Sequence, residues 1–134
     1  MKITGAHMKD SDHLELINRY LAAYNRFDVD GMLAVLGPAV GFEHYAGDRL
    51  TAAATGISEF RQLAEQAKAL FSEREQRITA IESCDGVLIA GISFRGCLAA
   101  DIPDGPRAGT VLALRGRSEF WFDAGLITRI VDRS

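Results

Sequence analysis

Cys84-Asp85-Gly86-Val87-Leu88-Ile89-Ala90-Gly91-Ile92-Ser93-Phe94-Arg95-Gly96-Cys97-Leu98 is the stretch that decides the fold class. Asp-Gly is a strong signal for a two-residue hairpin turn, because both turn positions need positive φ. After it Leu88, Ala90, Ile92, Phe94, Gly96 and Leu98 alternate with Val87, Ile89, Gly91, Ser93, Arg95 and Cys97, the period of a strand. The next run repeats the pattern. Leu112, Leu114, Gly116, Ser118, Phe120 and Phe122 alternate with Ala113, Arg115, Arg117, Glu119 and Trp121. The first set in each run is expected to face the core. Asp123-Ala124-Gly125 turns the chain into a last strand, Leu126 to Asp132. Upstream of the hairpin, Ile78 and Ile81 break alternation, which predicts a bulge or bend.

Outward from these strands, the first half of the chain reads as helices. Asp12-His13-Leu14-Glu15 has the form of a capping box, with Asp12 as N-cap. Leu14, Ile17, Leu21 and Tyr24 then form a stripe at helical spacing, with Tyr20 beside it. A second, short helix is expected after Asp28, carrying Met32, Leu33 and Leu36 and stopping at Gly37-Pro38. A third begins near Thr55-Gly56, with Ile57, Phe60, Ala64, Ala67 and Phe71 at steps of three and four. Between the second and third, Val40 to Tyr45 reads as a strand whose apolar face holds Val40 and Phe42. His44 shares that face. Helices first and strands after argue for an α+β fold with a largely antiparallel sheet.

Composition sets outer bounds. The 134 residues are 48% hydrophobic and 25% charged, with net charge −3. That is one ordinary globular domain, expected over residues 8–134. Gly5-Ala6-His7-Met8 resembles a vector-derived scar, so residues 1–7 are expected to be a vector-derived or disordered tail. No basic stripe is present to hold nucleic acid. The longest near-continuous apolar run, Val87 to Ile92, is too short to span a bilayer. Two cysteines do not make a disulfide framework. They are expected to be reduced thiols of a cytoplasmic protein.

Common phosphate, thiol and hydrolase motifs are absent, and with three histidines no metal site or cofactor is expected. What remains is a set of polar groups at inward positions. His44 is either a general base or acid, or a core histidine satisfied by neighbours. Ser118 interrupts an apolar face and either donates to a ligand oxygen or bonds a nearby carbonyl. Tyr20 and Tyr24 are core rings whose hydroxyls could serve an oxyanion. Asp132 faces inward if the last strand carries a bulge after Ile127, and is otherwise a solvated carboxylate. Arg115, Arg117 and Glu119 mark an outer face. Trp121 among them suggests a contact surface and a homodimer through it.

The order helix, short helix, strand, helix and strand meander resembles the SnoaL-like polyketide cyclases of the nuclear transport factor 2-like superfamily. The resemblance is carried by Gly96-Cys97-Leu98, Ile102-Pro103-Asp104-Gly105, Arg115-Gly116-Arg117-Ser118-Glu119-Phe120-Trp121-Phe122 and Gly125-Leu126-Ile127. It implies a cone, a curved sheet wrapped around three helices with a pocket inside. Leu16-Ile17-Asn18-Arg19-Tyr20 is similar to the ketosteroid isomerase segment that carries an oxyanion-hole tyrosine. By strand position His44 replaces that enzyme's aspartate base, and Ser118 falls near its protonated aspartate. SnoaL-like cyclases use an acidic residue as acid/base, for which Asp132 is the nearest candidate. The expectation is an isomerase, cyclase or dehydratase acting on a small hydrophobic carbonyl compound. His44, Tyr20, Ser118 and Asp132 would be catalytic, and Tyr24, Phe42, Phe60, Phe94 and Phe120 would hold the ligand. A non-catalytic ligand-binding or scaffolding domain is the alternative.

Overall fold

The computed structural model describes residues 3–134, with side chains from residue 10 onward. The chain runs α1 (Ile3–Asn25), α2 (Val29–Leu33), β1 (Leu36–Ala46), β2 (Arg49–Thr55), α3 (Ile57–Ala69), β3 (Phe71–Cys84), β4 (Val87–Leu98), β5 (Val111–Asp123) and β6 (Leu126–Arg133). All six strands form one sheet in the order β2-β1-β6-β5-β4-β3. Every neighbouring pair is antiparallel except β1 with β6. The expected α+β class, with a curved sheet packed on three helices, is what forms.

Turn chemistry accounts for the tight connections. Asp85 and Gly86 have φ of 51° and 82°, the doubly positive pair that matches strand twist, and Cys84 pairs with Val87 as expected. Ala124 and Gly125, at 52° and 78°, close the β5–β6 hairpin in the same way. Neither cysteine is bonded.

Bulges bend the sheet around its contents. One falls between Ile78 and Ala80, where the isoleucine spacing predicted it. Another leaves Thr51 unpaired between Leu50 and Ala52, opposite Tyr45 and His44. A third leaves Thr128 unpaired, because Phe122 pairs with Ile127 but Trp121 with Arg129. That extra residue shifts the parity of β6. Ile127, Ile130 and Asp132 therefore share the inner face.

The core lies between this concave face and the helices. It includes Ile17, Tyr20 and Leu21 from α1, Phe60 from α3, and Leu88, Ala90, Phe120, Ile127 and Ile130 from the sheet. The alternating set of β4 is buried along most of its length, as its pattern required.

Several boundaries differ from expectation. Asp12 is no N-cap, since α1 is already helical at Ile3 and nothing between Ala6 and Ser11 breaks a helix. The expectation for the tail at His7 lies outside the described side chains. Leu36, Gly37 and Pro38 open β1 rather than ending α2, because Leu36 pairs with Ile127 of the parallel neighbour. Phe71 starts β3 rather than closing α3. Strand β2 was not expected, since Ala52-Ala53-Ala54 has little strand propensity, yet β1 supplies it with a partner. In β5 the expected core face is only half covered. Leu114 is 51% exposed, because this end of the strand forms the rim of a cavity.

Candidate functional site

A cavity of about 470 Å³ opens on the concave side of the sheet, with largely apolar walls. Its aromatic wall is assembled from three regions. Phe42 of β1 stands edge-on to Phe60 of α3 at 5.6 Å, and Tyr20 of α1 meets Phe60 at 6.4 Å. Phe94 of β4 meets Phe71 of β3 at 5.4 Å. The expected ligand-holding residues Tyr24, Phe42, Phe60 and Phe94 all line the space. Phe120 does not. It is 1% exposed and packs behind Tyr20 at 6.2 Å, so it belongs to the core beneath the cavity.

The polar floor follows from strand register. His44 pairs with Asp132, and Asp132 with Ser118, so β1, β6 and β5 place three polar side chains in one row on the inner face. Adjacent strands lie only about 4.8 Å apart. All three residues line the cavity, as does Tyr20 above them. The sequence had left two orientations open for Asp132. The bulge at Thr128 settles the matter in favour of the inward one.

Hydrogen bonds fix how these groups can act. Ser118 Oγ donates to Asp132 Oδ1 at 2.6 Å. The serine hydroxyl, itself buried, is thereby committed to the carboxylate. Of the two readings left open for Ser118, a ligand contact or a bond to a neighbouring group, the structure shows a bond to a neighbour, the Asp132 carboxylate rather than a carbonyl. Thr51 Oγ1 donates to the His44 carbonyl at 3.1 Å and lies 2.7 Å from His44 Nδ1. A hydroxyl has one proton, so in this contact Nδ1 is the donor and Thr51 Oγ1 the acceptor. The other ring nitrogen, Nε2, is then left with its lone pair. Thr51 was missed because it lies on the unrecognised strand β2.

Electrostatics set the floor apart from the wall. Asp132 keeps some surface toward the cavity, yet burial raises its pKa, offset in part by the Ser118 hydrogen bond and by nearby His44. Burial also raises the Tyr20 phenol well above its ordinary range, and the neighbouring Asp132 adds to the shift. Tyr20 thus stays a neutral O–H donor near the Asp132 carboxylate.

A second polar cluster lies further along the wall and was not foreseen. Gln76 of β3 lines the cavity next to Tyr24. Behind Tyr24, the Arg74 guanidinium stacks on its ring at 3.7 Å, and Arg74 Nε donates to the Tyr24 carbonyl at 3.0 Å. The run Glu73-Arg74-Glu75-Gln76-Arg77 carries no apolar alternation, so the sequence gives no sign that Arg74 and Gln76 turn inward.

Comparison with known proteins bears on the family and the fold. Residues 17–130 match the family model described as a SnoaL-like domain. No curated protein matches the sequence significantly. Among solved structures, a candidate polyketide cyclase from Xanthomonas campestris pv. campestris superposes with TM-score 0.79 at 22% identity, covering 94% of this chain and 92% of that one. A protein with a ketosteroid isomerase-like fold from Catenulispora acidiphila, solved with trimethylamine, gives 0.74 at 14% identity over 88% and 83% of the two chains. An NTF2-like protein of unknown function from Burkholderia pseudomallei gives 0.74 at 17% over 90% and 88%. At these identities the likeness is one of fold.

Proposed function

The chain belongs to the SnoaL-like domain family, and on that premise we propose that it is an enzyme of the isomerase, cyclase or dehydratase type, moving a proton on a small hydrophobic carbonyl compound. The observation that carries this reading is the row His44–Asp132–Ser118 on the floor of an otherwise apolar cavity.

Each group has a distinct task. A ligand carbonyl placed near Tyr20 accepts its O–H, and the adjacent α-carbon faces His44 Nε2. The C–H bond breaks, its proton moves to Nε2, and its electron pair delocalises to an enolate whose charge rests on the oxygen held by Tyr20. The imidazolium so formed is balanced by the Asp132 carboxylate, which Ser118 holds in place. Thr51 anchors the opposite edge of the ring. Return of the proton to the same carbon gives exchange, and return to another gives isomerisation. Apolar walls keep water from the enolate and strengthen these interactions.

The test is deuterium incorporation at the α-carbons of 2-tetralone in D2O, followed by proton NMR. Wild type is expected to accelerate exchange above buffer at matched pD. His44→Ala is expected to lower that acceleration by about 10²-fold or more. Its melting temperature should change little, because His44 is partly exposed and its ring bonds Thr51 alone among the described residues. Equal exchange in wild type and His44→Ala would remove His44 from the mechanism.

For assembly we propose a homodimer through the convex sheet face. Trp121, Val87 and Ile89 are apolar there, and Glu119 is paired with Arg133 at 3.0 Å and Arg117 at 3.5 Å within one chain. Such a face carries little net repulsion against a copy of itself. Light scattering should give a dimer at micromolar concentration, and Trp121→Ala should weaken it by about 2 kcal/mol. A monomeric wild type at that concentration contradicts this assembly.

A further inference from the structure

The cavity has a second polar end that the proton-transfer chemistry does not use. Gln76 pairs with Phe94, and Phe94 with Leu114, which lies four residues along β5 from Ser118. At the strand rise this is roughly 13 Å along the sheet, and β3 lies two strands, about 10 Å, to the side of β5. Both ends nevertheless open into one cavity, and their tyrosines, Tyr20 and Tyr24, lie only one helical turn apart on α1, about 6 Å, a span that a small two-ring ligand covers.

This end is built rather than incidental. The Gln76 main chain is gripped on both sides by Asn25, whose Oδ1 accepts from Gln76 N at 2.7 Å and whose Nδ2 donates to Gln76 O at 3.1 Å. Arg74 is only 6% exposed, and no carboxylate lies within ion-pair distance of it among the described residues. Its guanidinium instead rests on the rings of Tyr24 at 3.7 Å and Phe27 at 4.6 Å. A buried cation without an anion is costly, and here it lies against the face of the tyrosine whose other surroundings are the cavity and the Gln76 amide. Burial raises the Tyr24 pKa, with Arg74 and Gln76 offsetting it in part, so the phenol stays a neutral O–H donor at the cavity wall. A primary amide beside it supplies both a donor and an acceptor.

We propose that Tyr24 and Gln76, backed by Arg74, form a second oxygen-binding subsite, so that the ligand is a two-ended molecule. It carries the reacting carbonyl at the His44–Asp132 floor and a hydroxyl or further carbonyl at the far end. The apolar walls between the two ends take its ring or chain. This subsite deepens the function proposed above, and rests on the cavity being the site where that carbonyl compound binds. Gln76 selects ligands and takes no part in moving the proton.

The experiment compares binding of 2-tetralone and 6-hydroxy-2-tetralone, which differ only in an oxygen remote from the ketone, by fluorescence titration of the full chain. Wild type is expected to bind the hydroxylated compound about three- to tenfold more tightly, the range of one added hydrogen bond. Gln76→Leu is expected to reduce that preference below about twofold while leaving 2-tetralone affinity within about twofold of wild type. Asn25 holds Gln76 through main-chain atoms, so this variant keeps those bonds. Equal binding of the two compounds by wild type, binding of neither, or a preference that survives Gln76→Leu would overturn the subsite. Exchange on 2-tetralone lacks the second oxygen and reports on the floor alone. Absence of exchange together with a Gln76-dependent preference would sink the proton-transfer function and leave the subsite standing.

Discussion

Asp132→Asn is expected to slow α-proton exchange by about 10²- to 10⁴-fold, the range for losing one member of an acid–base pair, while making the protein more stable at neutral pH. The two effects have one cause. Burial raises the Asp132 pKa above its ordinary value, so the folded state holds the carboxylate at a disadvantage. As pH rises past the unfolded pKa of about 3.9, ionisation favours the unfolded chain. Stability is lost until the raised folded pKa is passed, and the deficit then stays constant. Asparagine has no charge to bury and can still accept the Ser118 hydrogen bond. The variant should therefore melt higher than wild type at pH 7, with the difference shrinking towards pH 3. Thermal melts across that range check the stability half, and a variant less stable at pH 7 would show the carboxylate to be satisfied rather than strained.

Phe120→Ala is expected to have the largest effect on folding. The ring is 1% exposed and packs between the sheet and Tyr20. Truncating a buried phenylalanine removes its transfer energy and leaves a void, which costs about 3–5 kcal/mol. For a domain of this size that is a fall in melting temperature on the order of 10–20 °C. Phe94→Ala is the control. Its ring lines the cavity, so its loss should weaken 2-tetralone binding more than stability. If Phe120→Ala leaves melting unchanged, the placement of Phe120 beneath the cavity is wrong.

The sequence carried the sheet better than its edges. Alternation in β4 and the Asp85-Gly86 turn gave the register of the β3–β4 hairpin, because hairpin geometry is local. Strand β2 escaped notice because three alanines carry no strand signal, and its existence depends on pairing with β1. Similarly, Phe71 continued the helical spacing of α3, and only tertiary pairing with Leu98 makes it strand.

The floor of the site was legible where alternation reached it. Val40 and Phe42 placed His44 inward, and a bulge after Ile127 was the condition for Asp132. What could not be read was the partner of each hydroxyl. Ser118 faces Asp132 only because β5 and β6 are in that register. Thr51 reaches His44 only because a bulge in β2 leaves it unpaired. Arg74 and Gln76 sit in a run of charged and polar residues with no inward pattern, and the contacts that bury them come from α1, far away in the chain.

The most direct test is the pD dependence of wild-type exchange on 2-tetralone, set beside the same profile for Asp132→Asn. With His44 abstracting the proton and Asp132 balancing it, wild-type exchange should fall as pD drops, and Asp132→Asn should show only residual exchange throughout. An Asp132→Asn profile that overlays wild type, or a wild type with no exchange above buffer at any pD, would contradict the acid–base reading of this cavity.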